Sequence, residues 1–210
     1  MKGFMIAGVS SGIGKTTVSM GLMSLFENVS PFKVGPDYID TTFHQFVTGN
    51  KSYNLDLFMM GEEGVKYSFY KHHKGISIVE GVMGLYDGIN HSLDNNSSAH
   101  LARVLDLPVI LIVSGGGKST SIAAEVLGYK MLDSRVKIAG VIINRTTEAM
   151  YKHYKEAIEK YTGVECIGYL PKDESLSVSS RHLGLLQAAE VDDLREKSKH
   201  LKGILQKTID

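Results

Sequence analysis

Gly8-Val9-Ser10-Ser11-Gly12-Ile13-Gly14-Lys15-Thr16-Thr17 is the stretch on which the fold turns. The apolar run Phe4-Met5-Ile6-Ala7 leads into it, and a helical pattern leads out. Strand, glycine-rich turn and helix, in that order, are the setting of a phosphate-binding loop. Glycines let successive backbone N–H groups converge on phosphate oxygens, and the following helix adds the positive end of its dipole. On this reading Gly12, Ile13, Gly14, Lys15, Thr16 and Thr17 hold a nucleotide. Lys15 reaches the β- and γ-phosphates, and the Thr16 hydroxyl binds Mg²⁺. The spacing departs from the usual G-x-x-x-x-G-K-[ST], because five residues separate Gly8 from Gly14.

Outward from the loop, apolar runs alternate with helical patterns. The runs are 4–7, 31–35, 76–80, 108–113, 138–143 and 164–170. Several are continuously apolar and β-branched, as strands covered on both faces are. The helical patterns are 16–26, 55–72, 97–105, 119–132, 148–161 and 191–207. Such alternation predicts an α/β fold, a doubly wound, mostly parallel sheet with helices on both faces. Ser97 or Ser98 and Ser119 are expected N-caps. Gly61 and Gly64 weaken the second helix, which is expected to break. The polar segment 88–96 reads as a surface loop. Along 191–207, Val191, Leu194, Leu201, Ile204 and Leu205 share one helical face, suited either to packing back on the domain or to opening a linker.

At 210 residues and 43% hydrophobic, the chain can bury a substantial core in one domain, or one with an appendage. Lys and Arg number 23, Asp and Glu number 23, and no basic run stands out. That balance argues against nucleic acid or a membrane surface as partner. A single cysteine, Cys166, rules out an intrachain disulfide and fits a reducing compartment. No run approaches the ~18 apolar residues of a membrane span, and the loop interrupts the apolar start too early for a signal peptide. The expected location is cytoplasmic.

In a doubly wound sheet ligands gather at the carboxyl ends of the strands, and the polar residues of interest follow strands. Asp37 and Asp40 lie in Gly35-Pro36-Asp37-Tyr38-Ile39-Asp40, Asp56 follows Asn54-Leu55, and Glu80 ends its strand. A carboxylate beside a phosphate loop suits Mg²⁺, which prefers oxygen ligands; Asp37 and Asp40 equally suit a turn. Lys33, inside an apolar strand, either snorkels or neutralises charge in phosphoryl transfer. Asn144 could read the adenine edge or simply close a turn. Cys166 reads as a buried small hydrophobe, His72 and His73 as solvated, and Met20, Met23, Met59 and Met60 as core filler.

These runs, with Glu80-Gly81-Val82-Met83-Gly84-Leu85-Tyr86-Asp87-Gly88, Gly140-Val141-Ile142-Ile143-Asn144-Arg145, Gly168-Tyr169-Leu170-Pro171 and Arg181-His182-Leu183-Gly184-Leu185, occur in sequence order. Together they resemble the N-terminal synthetase domain of the cobyrinic acid a,c-diamide synthase family, to about Glu190. Dethiobiotin synthetase is a more distant relative with the same long-spaced phosphate loop. The resemblance implies an ATP- and Mg²⁺-dependent carbon–nitrogen ligase of cobalamin biosynthesis. Such an enzyme phosphorylates the a and c side-chain carboxylates of a corrinoid, and ammonia then displaces phosphate to leave amides. It implies Thr16, Asp56 and Glu80 as magnesium ligands, Lys15 and Lys33 offsetting charge, Asp37, Tyr38, Asp40 and Asp87 on the substrate and ammonia side, and Asn144 at adenine.

Ser114 stands where family members often carry Asp, so a metal role at that position is left open. The family normally continues into a glutaminase domain with a nucleophilic cysteine, and the context of Cys166 does not match it. The expectation is a synthetase domain over 1–190, a helix or linker over 191–210, and a longer natural chain; a separate glutaminase subunit or free ammonia are the other sources. Assembly is left open between monomer and homodimer. Two other readings remain: amidation of a different tetrapyrrole such as nickel sirohydrochlorin, and a partition-type nucleotide-switch ATPase. The second carries a lysine early in its loop, where this chain has Ser10.

Overall fold

Met5 and Ala7 of the first strand point into one hydrophobic core, and Ile6 between them points into another. That alternation requires helices on both faces of the sheet. In the structure, a computed structural model describing residues 2–173 and 188–209, β1 (Lys2–Gly8) lies at the centre of a seven-stranded sheet. The other strands are β2 (Val29–Val34), β3 (Tyr53–Leu55), β4 (Ile76–Glu80), β5 (Val109–Ser114), β6 (Ile138–Asn144) and β7 (Cys166–Tyr169). Their order is β3-β2-β4-β1-β5-β6-β7, and every pairing between them is parallel.

The helices α1 (Lys15–Leu25), α2 (Ile39–Thr48) and α7 (Ala188–Thr208) contribute to the core on one face. On the other lie α3 (Leu57–His72), α4 (Ser98–Val104), α5 (Ser121–Leu132) and α6 (Glu148–Thr162). The chain leaves β1 for β2 on one side and later returns to β5 on the other. At such a switch point, here where β1 runs into the glycine-rich turn, doubly wound sheets take their ligands. Leu201 and Leu205 of α7 seat against Gly21 of α1, where a Cβ would collide with them. The face read at 191–207 therefore packs back on the sheet layer; the Val191 side chain and the run 181–185 lie outside the described residues. Among the described residues no helix is long and apolar enough to cross a membrane.

Several expectations need correction. The strand β3, between Ser52 and Asp56, and the helix α2, which carries Asp40 and His44, were not anticipated. The Ser97 hydroxyl does cap α4, accepting from the His100 N–H, but α5 begins after Thr120, and Ser119 instead meets His153. The helix α3 breaks at Gly61, whose φ is 63°. The break turns its first residues outward, so Met59 is 72% exposed and Met60 is exposed too, whereas Met20 and Met23 are buried. His72 stacks on Tyr53 and His73 bonds to Ser77, so neither ring is simply solvated. Cys166 is fully buried, and desolvation pushes its thiol up to about 12.

Candidate active site

The turn after β1 holds its shape through backbone geometry. Gly14 has φ 98°, and a side chain there would run into the Asn144 amide. Asn144, at the end of β6, donates from Nδ2 to the Ile13 carbonyl at 2.8 Å, while its Oδ1 accepts from the Arg145 N–H. Arg145 in turn reaches the Gly12 carbonyl. Asn144 thus braces the loop that the sequence assigns to phosphate, and half of its amide capacity is already spent.

Lys15 lies at the mouth of this loop. Its Nζ donates to the Ser10 carbonyl at 3.0 Å and to the Met83 carbonyl at 2.6 Å. Met83 sits at φ 49° in the turn after β4, an uncommon conformation for a residue with a Cβ. The same turn is tied to the loop by Leu85 N–H donating to Gly8, and it closes on itself where Gly84 N–H donates to Asp87. A Cβ on Gly84 would strike that carboxylate. Burial, and then the Lys33 charge, lower the Lys15 ammonium pKa, against the pull of Glu80, Asp40 and Asp87.

Beneath Lys15 the strand register brings charges together. Lys33 of β2 is paired with Glu80 of β4, and Ile6 of β1 flanks Glu80 on its other side. Glu80 is fully buried, so its charge must be met by neighbours. The Thr16 hydroxyl donates to its Oε1 at 2.8 Å, Lys33 Nζ donates to the same oxygen at 3.0 Å, and His44 lies 2.7 Å from Oε2. Burial alone would push this carboxyl up. The hydrogen bond from His44, the Lys33 charge and the Thr16 hydroxyl outweigh burial and hold it well below the usual carboxylate range. Lys33 also reaches Asp40 at 2.7 Å and the Gly81 carbonyl at 2.9 Å. Burial works against its charge, but the two carboxylates prevail and raise its pKa. Asp40 is raised, first by burial and then by Glu80, and Lys33 offsets this only in part.

Asp40 Oδ1 lies 3.3 Å from the Thr16 hydroxyl. Thr16, Asp40 and Glu80 thus form an all-oxygen donor set of the kind hard cations take. Among the described residues no three His, Cys, Asp or Glu side chains converge as a metal cage. A cation here would complete its shell with water or phosphate oxygens.

The remaining expected residues lie outside this hydrogen-bonded side-chain cluster. Asp56, at the end of β3, accepts from the Phe58 and Met59 N–H groups and so caps α3; no hydrogen bond or ion pair joins it to Thr16 or Glu80. Asp37 caps α2 by accepting from Ile39 and Asp40 N–H. Tyr38 beside it is 81% exposed. Ser114 neighbours Asn144 across the sheet, and its hydroxyl meets the Gly116 N–H. His44 is the functional candidate that sequence reasoning missed. It lies one helical turn after Asp40 on α2, and that i, i+4 Asp–His pair was the available signal.

A family model for the CobQ/CobB/MinD/ParA nucleotide binding domain matches residues 4–185. A cobyrinate a,c-diamide synthase of Fusobacterium nucleatum is 72% identical over the whole of this chain, which covers 48% of that relative. One from Caldanaerobacter subterraneus is 49% identical over 99% of the chain and 47% of its own length. The chain therefore spans about half the length of the curated relatives it matches. Among solved structures, chloroplast FtsY from Physcomitrella patens aligns with a TM-score of 0.59 at 14% identity, covering 92% of this chain and 65% of that one. A ParA family ATPase from Chlorobium tepidum aligns at 0.51 and 12% identity, covering 98% and 92%. Likeness at that identity speaks of the fold alone, a parallel α/β sheet around a nucleotide loop. The family model, which takes in both the loop after β1 and the Glu80 end of β4, makes this chain a member of the CobQ/CobB/MinD/ParA nucleotide-binding domain family.

Proposed function

We propose that the chain is the ATP-dependent amidating half of a cobyrinate a,c-diamide synthase. The observation that carries this reading is the convergence of Lys15, Thr16, Lys33, Asp40 and Glu80 at the end of the phosphate loop. The 72% identity to a relative of that name supplies the substrate class, a corrinoid carrying peripheral carboxylates. The reaction must bring a carboxylate against a γ-phosphate, two anions that repel. The site answers with two buried ammonium groups, Lys15 and Lys33, near enough that each feels the other's charge.

The loop backbone and the N-terminus of α1 cradle the triphosphate, and Lys15 trades its carbonyl partners for β- and γ-phosphate oxygens. Thr16 and Glu80, with Asp40 near, would hold a magnesium ion, which would supply positive charge to neutralise the phosphate oxygens. The resemblance also named Asp56 as a ligand; to serve, it would have to do so while its other oxygen caps α3. A substrate carboxylate oxygen attacks the γ-phosphorus and ADP leaves, while Lys33 balances the carboxylates beneath. Ammonia then forms its bond to the acyl carbon and the C–O bond breaks, so that phosphate leaves. In this reading Asp37, Tyr38 and Asp87 serve the substrate and ammonia side, and a carboxylate there takes the proton that the attacking nitrogen loses. Asn144 has one amide proton and one lone pair left for the adenine edge. The ammonia comes from a glutaminase domain or subunit in the whole enzyme.

The test is mass spectrometry of cobyrinate incubated with the chain, ATP, Mg²⁺ and ammonium. The expected product carries NH₂ for OH at one or both positions, and substrate recovered unchanged while ATP is turned over would refute the reading.

A further inference from the structure

His44 sits inside the charged cluster with none of its surface exposed. A buried imidazole is costly unless its nitrogens are satisfied, and here both are. Nε2 is 2.7 Å from Glu80 Oε2, and Nδ1 is 3.1 Å from the Ser52 hydroxyl, itself on a buried residue. A carboxylate can only accept, so the ring nitrogen facing it, Nε2, carries a proton, and Nδ1 is met by the Ser52 hydroxyl. The two oxygens of Glu80 are divided by this arrangement. Lys33 and Thr16 both bind Oε1, whereas Oε2 is tied to His44. Lys33 and Thr16 therefore hold only one edge of the carboxylate, and His44 is the side-chain partner of the other.

We propose that His44 is a positioning residue: through Nε2 it holds Glu80 with Oε1 turned toward Thr16, and so sets how tightly that oxygen pair takes a divalent cation. Ser52, through Nδ1, holds the ring in the required orientation. The proposal rests on the assignment of Thr16 and Glu80 as cation ligands made under Proposed function. Hydrogen-bonded partners of metal ligands act in this way elsewhere, orienting the ligand without touching the metal.

The test measures the affinity of a fluorescent, non-hydrolysable ATP analogue with and without Mn²⁺, so that no turnover is needed. The readout is the factor by which Mn²⁺ tightens nucleotide binding, and the metal-free affinity reports that the loop is intact. His44→Phe keeps a ring but no donor, His44→Gln keeps an N–H in place of Nε2, and Ser52→Ala removes the Nδ1 partner. The Mn²⁺ factor should fall about 10-fold or more in His44→Phe, return to within about threefold of wild type in His44→Gln, and lie between them in Ser52→Ala. The metal-free affinity should stay at the wild-type value throughout. A His44→Phe chain with the wild-type Mn²⁺ factor overturns the proposal. So does a His44→Gln chain as impaired as His44→Phe, since the loss would then be one of packing. If His44→Phe does not fold, a wild-type Mn²⁺ factor in Ser52→Ala overturns it equally. A wild-type chain that binds nucleotide with no response to Mn²⁺ overturns the cation assignment itself, and the proposal with it.

Discussion

Replacing Lys33 with Met keeps the stem of the side chain and removes its charge and its donors. Lys33 is 3% exposed and meets Asp40 at 2.7 Å, Glu80 at 3.0 Å and the Gly81 carbonyl at 2.9 Å. Taking one partner from a buried pair costs about 3–5 kcal/mol, because the charge left behind has lost both water and its counter-ion. Glu80 keeps His44 and Thr16, and Asp40 is 17% exposed, so the lower end of that range applies. A loss of about 3 kcal/mol lowers the melting temperature of a domain this size by about 6–12 °C.

The loss should depend on pH. Asp40 already has a folded pKa above its ordinary 3.8, so its ionised form works against folding, and that penalty lifts as pH falls through the folded value. Without Lys33 the folded value rises further. The gap between variant and wild type should then be widest at about pH 8 and narrower at about pH 5.5. Thermal melts without nucleotide or metal measure it. Adding Asp40→Asn to the variant should recover part of the stability, as one of the two uncompensated charges is gone. A variant melting within about 2 °C of wild type at the higher pH, or a gap that does not narrow, would refute the reasoning.

Lys15→Ala should lower ammonium-dependent turnover by about 100-fold or more, read as phosphate release, since charge at the transferring phosphoryl loses a principal partner; near-normal release counts against the loop assignment. Gly14→Ala should cut nucleotide affinity in an equilibrium binding assay, because φ 98° disfavours a Cβ and the Asn144 amide occupies its place; unchanged affinity would mean the brace is not needed. The Cys166 thiol, with its pKa pushed up to about 12, should resist iodoacetamide at neutral pH until the chain is unfolded, and rapid labelling of the native chain would contradict its burial.

The long elements were legible because their apolar residues repeat with a clear period. Met5, Ile6 and Ala7, or Ile78 and Val79, read as strand buried on both faces, and they are. The strand β3 is only Tyr53, Asn54 and Leu55, held by its register against β2, and three residues carry no period. The helix α2 did carry one, with Ile39, Phe43, Phe46 and Val47 on a stripe, but the charged run from Asp37 to Asp40 reads as loop. That run is in fact a cap followed by the first turn. His44 was lost with the helix, since only the helix puts it beside Asp40 and over Glu80. Lys33 was legible as a charge inside a strand and Glu80 as one at a strand's end; their pairing is a matter of register, which sequence does not state. Met59 and Met60 look like core by composition, and the positive φ of Gly61 turns them out.

In the proposed reaction a substrate carboxylate is made reactive by taking a phosphoryl group from ATP. Cobyrinate labelled with ¹⁸O in its side-chain carboxylates, supplied together with ATP, Mg²⁺ and ammonium, reports on that step. One ¹⁸O is expected in the phosphate released for each amide formed, carried over when the acyl C–O bond breaks. Unlabelled phosphate accompanying labelled amide and water would contradict it.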